Sequence, residues 1–121
     1  MILLVDDNRL LWLAVEDRFD LEGWHIDACA DGLEALAKIE SGATYDVLVL
    51  DNDLPGAGGL ELTRRARDLK HRRGVPIIII SASEIEEEAR QAGANCFLKK
   101  PFDLNSIIRA IEGLLASSVA E

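Results

Sequence analysis

Three short runs of aliphatic residues constrain the fold of this chain more than any other feature. They are ILLV at residues 2–5, VLVL at 47–50 and IIII at 77–80, and polar or turn residues follow each run. Short apolar runs without alternation are typical of strands buried on both faces, as in a parallel sheet covered by helices. Two weaker strands are predicted at residues 25–29 (HIDAC) and 96–99 (CFLK).

Helical patterns separate these strands. The spacing of apolar residues predicts helices over about residues 9–22, 33–41, 59–70, 84–92 and 104–117. Ser83 and Glu86 have the spacing of a capping box at the start of the fourth helix, and Asp103 is placed to cap the fifth. In the first helix, Leu10 and Phe19 are predicted to lie on the buried face.

The strict alternation of strands and helices predicts the fold class. It indicates a single doubly wound α/β domain of the (βα)5 type over residues 1–121, with a parallel five-stranded sheet and right-handed crossovers. The second and fifth strands are the least apolar and belong at the edges, which favours the flavodoxin-like order 2-1-3-4-5. Strands 1 and 3 are then neighbours at the topological switch point, where ligands bind beyond the carboxyl ends of the strands.

Charge and composition exclude several classes of partner. The net charge of −9 argues against direct binding to nucleic acid or to a membrane surface. The segment 64–73 (RRARDLKHRR) is the exception, and we interpret it as a solvated helix end, with a docking patch as the alternative. Cys29 and Cys96 lack metal-ligand spacing, and no apolar run reaches the length of a membrane span or resembles a signal peptide. We therefore expect free thiols and a cytoplasmic location.

The two strands at the switch point both end in carboxylates. Asp6 and Asp7 follow the first strand, and Asp51 and Asp53 follow the third. Carboxylates that meet in one crevice repel each other unless a cation lies between them. A site of oxygen ligands without His or Cys suits a hard divalent cation, and Mg²⁺ is the predicted ion.

The remaining strand ends add a hydroxyl and an ammonium group. Ser81 ends the fourth strand, and Lys99, Lys100 and Pro101 follow the fifth. A metal ion, an ammonium and a hydroxyl around a carboxylate are the groups that phosphoryl transfer onto Asp requires, because its catalysis is mainly positioning and charge neutralisation.

These residues make the chain resemble the receiver domain of two-component response regulators, over residues 2–117. The segment DNDLPGAGG at 51–59 is similar to the family pattern D-x-x-M-P-x-x-x-G, with Leu54 in place of Met. The resemblance implies that Asp51 is the phosphoacceptor and that Asp6 and Asp7 are the metal-binding pair. It also implies that Asp53 completes the metal shell through its backbone carbonyl.

The same resemblance assigns roles at the other strand ends. It implies that Ser81 is the switch hydroxyl and that Phe97 is the aromatic switch residue, which lacks the hydroxyl of the Tyr variant. Lys100, which directly precedes Pro101, corresponds to the essential Lys of the family, whereas Lys99 does not. The bond between Lys100 and Pro101 is cis in the family. For the side chain of Asp53, we expect a position facing the phosphoryl group.

The resemblance also implies a function. A receiver domain accepts a phosphoryl group from a phosphohistidine of a histidine kinase or phosphotransfer protein, in a Mg²⁺-dependent reaction, and later hydrolyses it. It catalyses its own phosphorylation and dephosphorylation and is a signalling switch rather than a metabolic enzyme. Phosphorylation is expected to change the face made by helix 4, strand 5 and helix 5. An effector domain, a downstream protein and a homodimer of the phosphorylated form remain open as partners.

Two alternatives compete with this interpretation. The first is a pseudo-receiver that acts as a binding module without phosphorylation, although such domains usually lose the acidic pair or the Lys. The second is a haloacid-dehalogenase-like phosphatase, whose D-x-D motif resembles residues 51–53. Against the phosphatase, Pro55 stands where that class has Thr, and the motif of that class lies on an early strand.

Overall fold

Five parallel strands form the centre of the structure, which is a computed structural model that describes residues 1–120 of the chain. The last residue of the predicted domain 1–121 lies outside the described residues. The sheet has the order β2-β1-β3-β4-β5, and every neighbouring pair is parallel. The predicted α/β class, the doubly wound topology and the strand order are therefore confirmed.

The elements alternate along the chain. The strands are β1 Ile2–Val5, β2 Ile26–Cys29, β3 Val47–Asp51, β4 Ile77–Ser81 and β5 Cys96–Lys99. The helices are α1 Arg9–Asp20, α2 Gly32–Glu40, α3 Gly59–Asp68, α4 Glu86–Ala92 and α5 Leu104–Ala120. None of the helices within residues 1–120 combines the length and apolar character needed to cross a membrane.

The sheet separates two apolar clusters, which explains why its central strands are apolar throughout. Leu48 and Leu50 face one side of β3, where α2, α3 and α4 pack, and Val47 and Val49 face the other side, where α1 and α5 pack. Successive side chains of a strand point to opposite faces. A strand covered by helices on both faces therefore needs an apolar residue at every position.

Two local predictions are wrong. The predicted capping box is absent, because α4 begins after Ile85 without a side-chain cap. Ser83 instead forms a turn, in which its N–H donates to Ser81 Oγ at 3.1 Å and its carbonyl accepts from the N–H of Ile85 at 2.9 Å.

Leu10 is 79% exposed, not buried, because it lies beyond the stripe of α1 that faces the sheet. The predicted cap at Asp103 is confirmed by the Ser106 N–H, which donates to its carboxylate at 2.8 Å.

The register of the sheet brings the polar strand ends together. Val5 pairs with Leu50, and Ser81 pairs with Lys99. The residues that follow these pairs therefore lie along one edge of the sheet, between the loops that lead into α1, α3, α4 and α5.

Candidate functional site

Three carboxylates form the centre of this edge. One oxygen each of Asp6, Asp7 and Asp51 lies within 4.8 Å of the others. Asp51 is only 1% exposed and Asp6 only 3%, whereas Asp7 is open to solvent. Burial raises the pKa of Asp6 above its ordinary value, and the negative charges of Asp51 and Asp7 contribute in the same direction. The charged form of Asp6 is therefore disfavoured, first by burial and then by its two acidic neighbours.

The donor set of this cluster fits Mg²⁺. All three side chains offer oxygen, which hard divalent ions prefer, and the exposed position of Asp7 leaves one side open to water or a substrate oxygen. Burial is the main cause of the raised pKa of Asp6, and a divalent cation would offset the smaller contribution from the charges of Asp51 and Asp7. The crowding is thus an observation on the chain itself that favours a cation.

Trp12 supports this acidic pair, a contact that the sequence did not reveal. Its indole N–H donates to the backbone carbonyl of Asp6 at 2.6 Å. The carboxylate of Asp6 in turn accepts from the N–H of Asn8 at 2.8 Å. In the sequence, Trp12 lies off the main apolar face of the first helix, a position that suits either partial packing or a kinase-docking surface. In the structure Trp12 is half-buried and packs against the cluster under α1.

Lys100 is the cation that reaches the site. Its Nζ lies 2.8 Å from Asp51 Oδ2 and 3.4 Å from Asp53 Oδ2. Burial alone would lower the pKa of Lys100, but the hydrogen bond and the charge of Asp51 outweigh that effect and raise it. Lys99 points away and pairs with Glu84 at 2.5 Å. The peptide bond between Lys100 and Pro101 is cis.

Asp53 connects the third and fourth strands. Its N–H donates to Asp51 Oδ1 at 2.8 Å. Its carboxylate accepts from the Ser81 hydroxyl at 2.7 Å and from the Ala82 N–H at 2.9 Å. Burial raises the pKa of Asp53, but these two hydrogen bonds and the charge of Lys100 outweigh it, so the pKa is lowered. The carboxylate of Asp53 is therefore engaged with donors and lies outside the cluster of three.

Phe97 lies beside the site rather than in it. It pairs with Ile79, two residues before Ser81, and is half-buried. It lines a groove of about 330 Å³ together with Glu86, Ala89 and Arg90.

The structure brings six predicted residues together at this edge of the sheet, and their chemical roles stay predictions: Asp6, Asp7, Asp51, Asp53, Ser81 and Lys100.

A second cleft opens from the carboxylates toward α1 and α5. It has a volume of about 510 Å³, and its walls combine Asp7 and Lys100 with the apolar side chains of Leu10, Phe102 and Leu104. Leu10 is 79% exposed and Leu104 is 39% exposed, which leaves apolar surface open beside the charged groups.

Comparison with known proteins agrees with this geometry. The family model described as the response regulator receiver domain matches residues 2–112. The transcriptional regulatory protein TrcR of Mycobacterium tuberculosis is 35% identical over 120 residues, which are 97% of this chain and 46% of TrcR. The chain thus spans about half the length of that relative. The polar-differentiation response regulator DivK of Brucella abortus is 28% identical over 97% of both chains.

Solved structures share the same fold. The receiver domain of sensor histidine kinase PA1611 from Pseudomonas aeruginosa is 32% identical, with a TM-score of 0.79 over 95% of this chain and 96% of that chain. That crystal structure holds a magnesium ion coordinated in the active site cleft. The chemotaxis response regulator CheY4 of Vibrio cholerae has a TM-score of 0.83 at 28% identity and covers 94% of this chain and 97% of that chain.

Proposed function

This chain belongs to the family of response regulator receiver domains, and from that premise we propose that it takes a phosphoryl group onto Asp51. The donor is a phosphohistidine of a histidine kinase or phosphotransfer protein. The observation that carries the proposal is the pairing of a buried carboxylate, Asp51, with an ammonium at 2.8 Å beside two further carboxylates. We propose that the receiver domain comprises residues 1–121.

The chemistry is a transfer between two nucleophiles. A carboxylate oxygen of Asp51 forms a bond to phosphorus while the bond from phosphorus to the imidazole nitrogen breaks, and the imidazole takes up a proton. The product is an acyl phosphate on Asp51. Burial of Asp51 supports this role, because a desolvated and fixed carboxylate loses little solvation or freedom when it reacts.

The neighbours of Asp51 supply charge and orientation. Lys100 holds Asp51 Oδ2, and the N–H of Asp53 holds Oδ1, so the carboxylate has a fixed plane. After transfer, the Lys100 ammonium and the Ser81 hydroxyl are the donors placed to bind phosphoryl oxygens. Hydrogen bonds in which one partner is charged are roughly twice as strong as neutral ones.

Mg²⁺ is part of the proposal, and four residues would hold it. They are the carboxylates of Asp6, Asp7 and Asp51 and the backbone carbonyl of Asp53. When bound, the ion supplies positive charge that stabilises the developing charge on the transferred phosphoryl oxygens. The carbonyl of Asp6 is held by Trp12, so the peptide that joins the acidic pair has a fixed orientation.

We place the donor protein over the second cleft. Leu10 and Leu104 expose apolar surface beside Asp7 and Lys100, so a partner helix bound there would bring its phosphohistidine to the crevice. Such a partner places this domain in the cytoplasm, where two-component phosphotransfer occurs. An effector domain, a downstream protein or a second phosphorylated copy would be the recipient of the signal.

The signal would leave through α4, β5 and α5. Binding of the Ser81 hydroxyl by a phosphoryl oxygen changes the β4–α4 loop, and Phe97 repacks in the groove beside α4. The half-buried state of Phe97 supports this role, because a fully buried ring would have no second position to occupy.

Phosphorylation by a small donor tests the proposal. Incubation with acetyl phosphate and Mg²⁺ should add the mass of one phosphoryl group, in a form that hydroxylamine removes. Asp51→Asn should not be modified, and excess chelator should prevent modification of the wild type. Modification of Asp51→Asn, or equal modification in the presence of chelator, would contradict the proposal.

The same experiment separates the alternatives. A pseudo-receiver would remain unmodified in every condition. A phosphatase would hydrolyse many small phosphate esters with turnover, whereas a receiver domain takes up one phosphoryl group and releases it slowly.

A further inference from the structure

The carboxylate of Asp53 accepts hydrogen bonds from donors that the phosphoryl group of an acyl phosphate at Asp51 would need. The hydroxyl of Ser81 and the N–H of Ala82 each donate to one oxygen of the Asp53 carboxylate, at 2.7 and 2.9 Å. Lys100 Nζ lies 3.4 Å from the same carboxylate while it holds Asp51. A carboxylate resembles a phosphoryl group in charge and in its acceptor oxygens.

We propose that the carboxylate of Asp53 is a built-in competitor of the phosphoryl group, which releases Ser81 and Ala82 only when phosphoryl oxygens replace it. This inference rests on the proposed function of Asp51 and adds a regulatory element to it. In the unmodified domain, the contacts of Ser81 and Ala82 with Asp53 stabilise one arrangement. Phosphorylation stabilises the other arrangement only by the difference in free energy between the phosphoryl contacts and the Asp53 contacts.

The burial of Ser81 makes the competition exclusive. The Ser81 side chain is fully buried, and its oxygen already accepts a hydrogen bond from the N–H of Ser83 at 3.1 Å. Its hydroxyl proton therefore needs an acceptor inside the site, because an unpaired buried donor is costly. Asp53 is that acceptor in the structure, and a phosphoryl oxygen is the replacement.

The environment of Asp53 allows the exchange. Its side chain is 32% exposed, so water can solvate the carboxylate when it leaves Ser81. Its backbone is held independently, because the N–H of Asp53 donates to Asp51. A rotation of the side chain is therefore sufficient, without a change in the loop that follows β3.

Binding of beryllium fluoride, a phosphoryl analogue that attaches to carboxylates without hydrolysis, measures the competition. We expect Asp53→Asn to bind beryllium fluoride in the presence of Mg²⁺ about tenfold more tightly than the wild type, a change of about 1.4 kcal/mol. Asn retains one acceptor oxygen for Ser81 but loses the charge and the acceptor for Ala82. Asp17→Asn is the matched control, since it removes the same charge at an exposed position of α1 and should leave the affinity unchanged.

A double-mutant cycle with Ser81→Ala separates competition for donors from simple charge repulsion. Competition predicts that the tenfold gain from Asp53→Asn shrinks to about threefold or less when the hydroxyl is absent, because the two side chains are coupled. Charge repulsion alone predicts an equal gain in both backgrounds, and that result would overturn the proposal. Unchanged or weaker binding by Asp53→Asn would also overturn it, since Asp53 would then organise the donors rather than withhold them.

The outcome for the wild type distinguishes the two proposals. Binding of beryllium fluoride by the wild type, with no gain in Asp53→Asn, would overturn the competitor and leave the role of Asp51 intact. Absence of binding in the wild type and in Asp53→Asn would overturn both, because Asp53 would have no ligand to compete with.

Discussion

Charged residues of one sign cluster at two opposite edges of the sheet. The basic cluster and the acidic cluster differ in the partners that the chain itself supplies. At the amino-terminal edge, the basic segment 64–73 provides Arg67 and Arg72, whose guanidinium groups are bound by backbone carbonyls. Arg67 donates to the carbonyls of Arg72, Arg73, Val75 and Gly93 and to the side chain of Asn95. Arg72, which is 3% exposed, donates to the carbonyls of Lys38, Ile39 and Ser41.

At the carboxyl-terminal edge, the acidic pair has no cationic side chain of its own within residues 1–120, and one backbone N–H, that of Asn8, donates to Asp6. Among the described residues, Lys100 pairs with Asp51 and Asp53, while Asp6 and Asp7 take part in no ion pair. The basic cluster thus has its hydrogen-bond partners within the chain and is structural, whereas we propose that the acidic cluster takes its cation from solution. Net charge alone cannot make this distinction, because it depends on which partners the fold supplies.

The comparison corrects one interpretation of the sequence. A solvated helix end describes Arg64 but is wrong for Arg67 and Arg72, because carbonyls of loops distant in sequence replace water around them. This use of arginines also weakens the docking-patch alternative, since their donors are directed into the protein.

The largest expected effect is on stability, at the basic edge. Arg67→Ala should lower the free energy of unfolding by about 3 kcal/mol, because carbonyls of two loops lose a charged donor. Denaturant unfolding measures this change, and Arg64→Ala, an exposed arginine of the same helix, is the matched control with an expected change near zero. If both variants lose the same small amount, the basic edge is not structural and the contrast fails.

The acidic edge should respond to Mg²⁺ by a slightly smaller amount. A ligand at one hundred times its Kd stabilises the folded state by about 2.7 kcal/mol, so thermal unfolding should shift upward by roughly 10 °C. Asp7→Asn should lose most of this shift. Arg67→Ala should retain it, because the two clusters lie at opposite edges and independent sites add.

Indifference of the wild type to Mg²⁺ would contradict the cation site. Loss of the Mg²⁺ shift in Arg67→Ala would instead show that the two edges are coupled, which the separate contacts of each cluster do not predict.

A third and smaller effect is expected at Trp12, which links α1 to the acidic pair. Trp12→Phe keeps most of the apolar packing but removes the N–H bonded to the Asp6 carbonyl at 2.6 Å. The affinity for Mg²⁺ should fall about fivefold, corresponding to about 1 kcal/mol. Trp24→Phe, in the same apolar cluster but distant from the carboxylates in sequence, should leave the affinity unchanged. Equal losses in both variants would assign the effect to packing.

Much of this arrangement could be predicted from the sequence because it depends on local pattern. Apolar runs located the strands, and the lower apolar content of β2 and β5 located the edges of the sheet. The proximity of Asp6, Asp7 and Asp51 then followed from the topology. Burial on both faces leaves a central strand no freedom in residue type, which makes such a strand easy to recognise.

Other features depended on contacts between distant segments and could not be predicted. The rotation of Asp53 toward Ser81, 28 residues away, is decided by donors on another strand. The start of α4 is decided by the turn that Ser83 forms with Ser81, which competes with capping. The exposure of Leu10 depends on how α1 is rotated against the sheet, which its own periodicity leaves ambiguous by one position.

We propose that the carboxyl-terminal edge of the sheet accepts a phosphoryl group at Asp51 and at no other carboxylate. Reduction of the phosphorylated chain with borohydride converts an acyl phosphate of Asp into homoserine, and tandem mass spectrometry then locates the modified position. We expect homoserine at position 51 alone, only after incubation with donor and Mg²⁺. Homoserine at position 6, 7 or 53, or its absence from a chain that has gained the mass of a phosphoryl group, would contradict it.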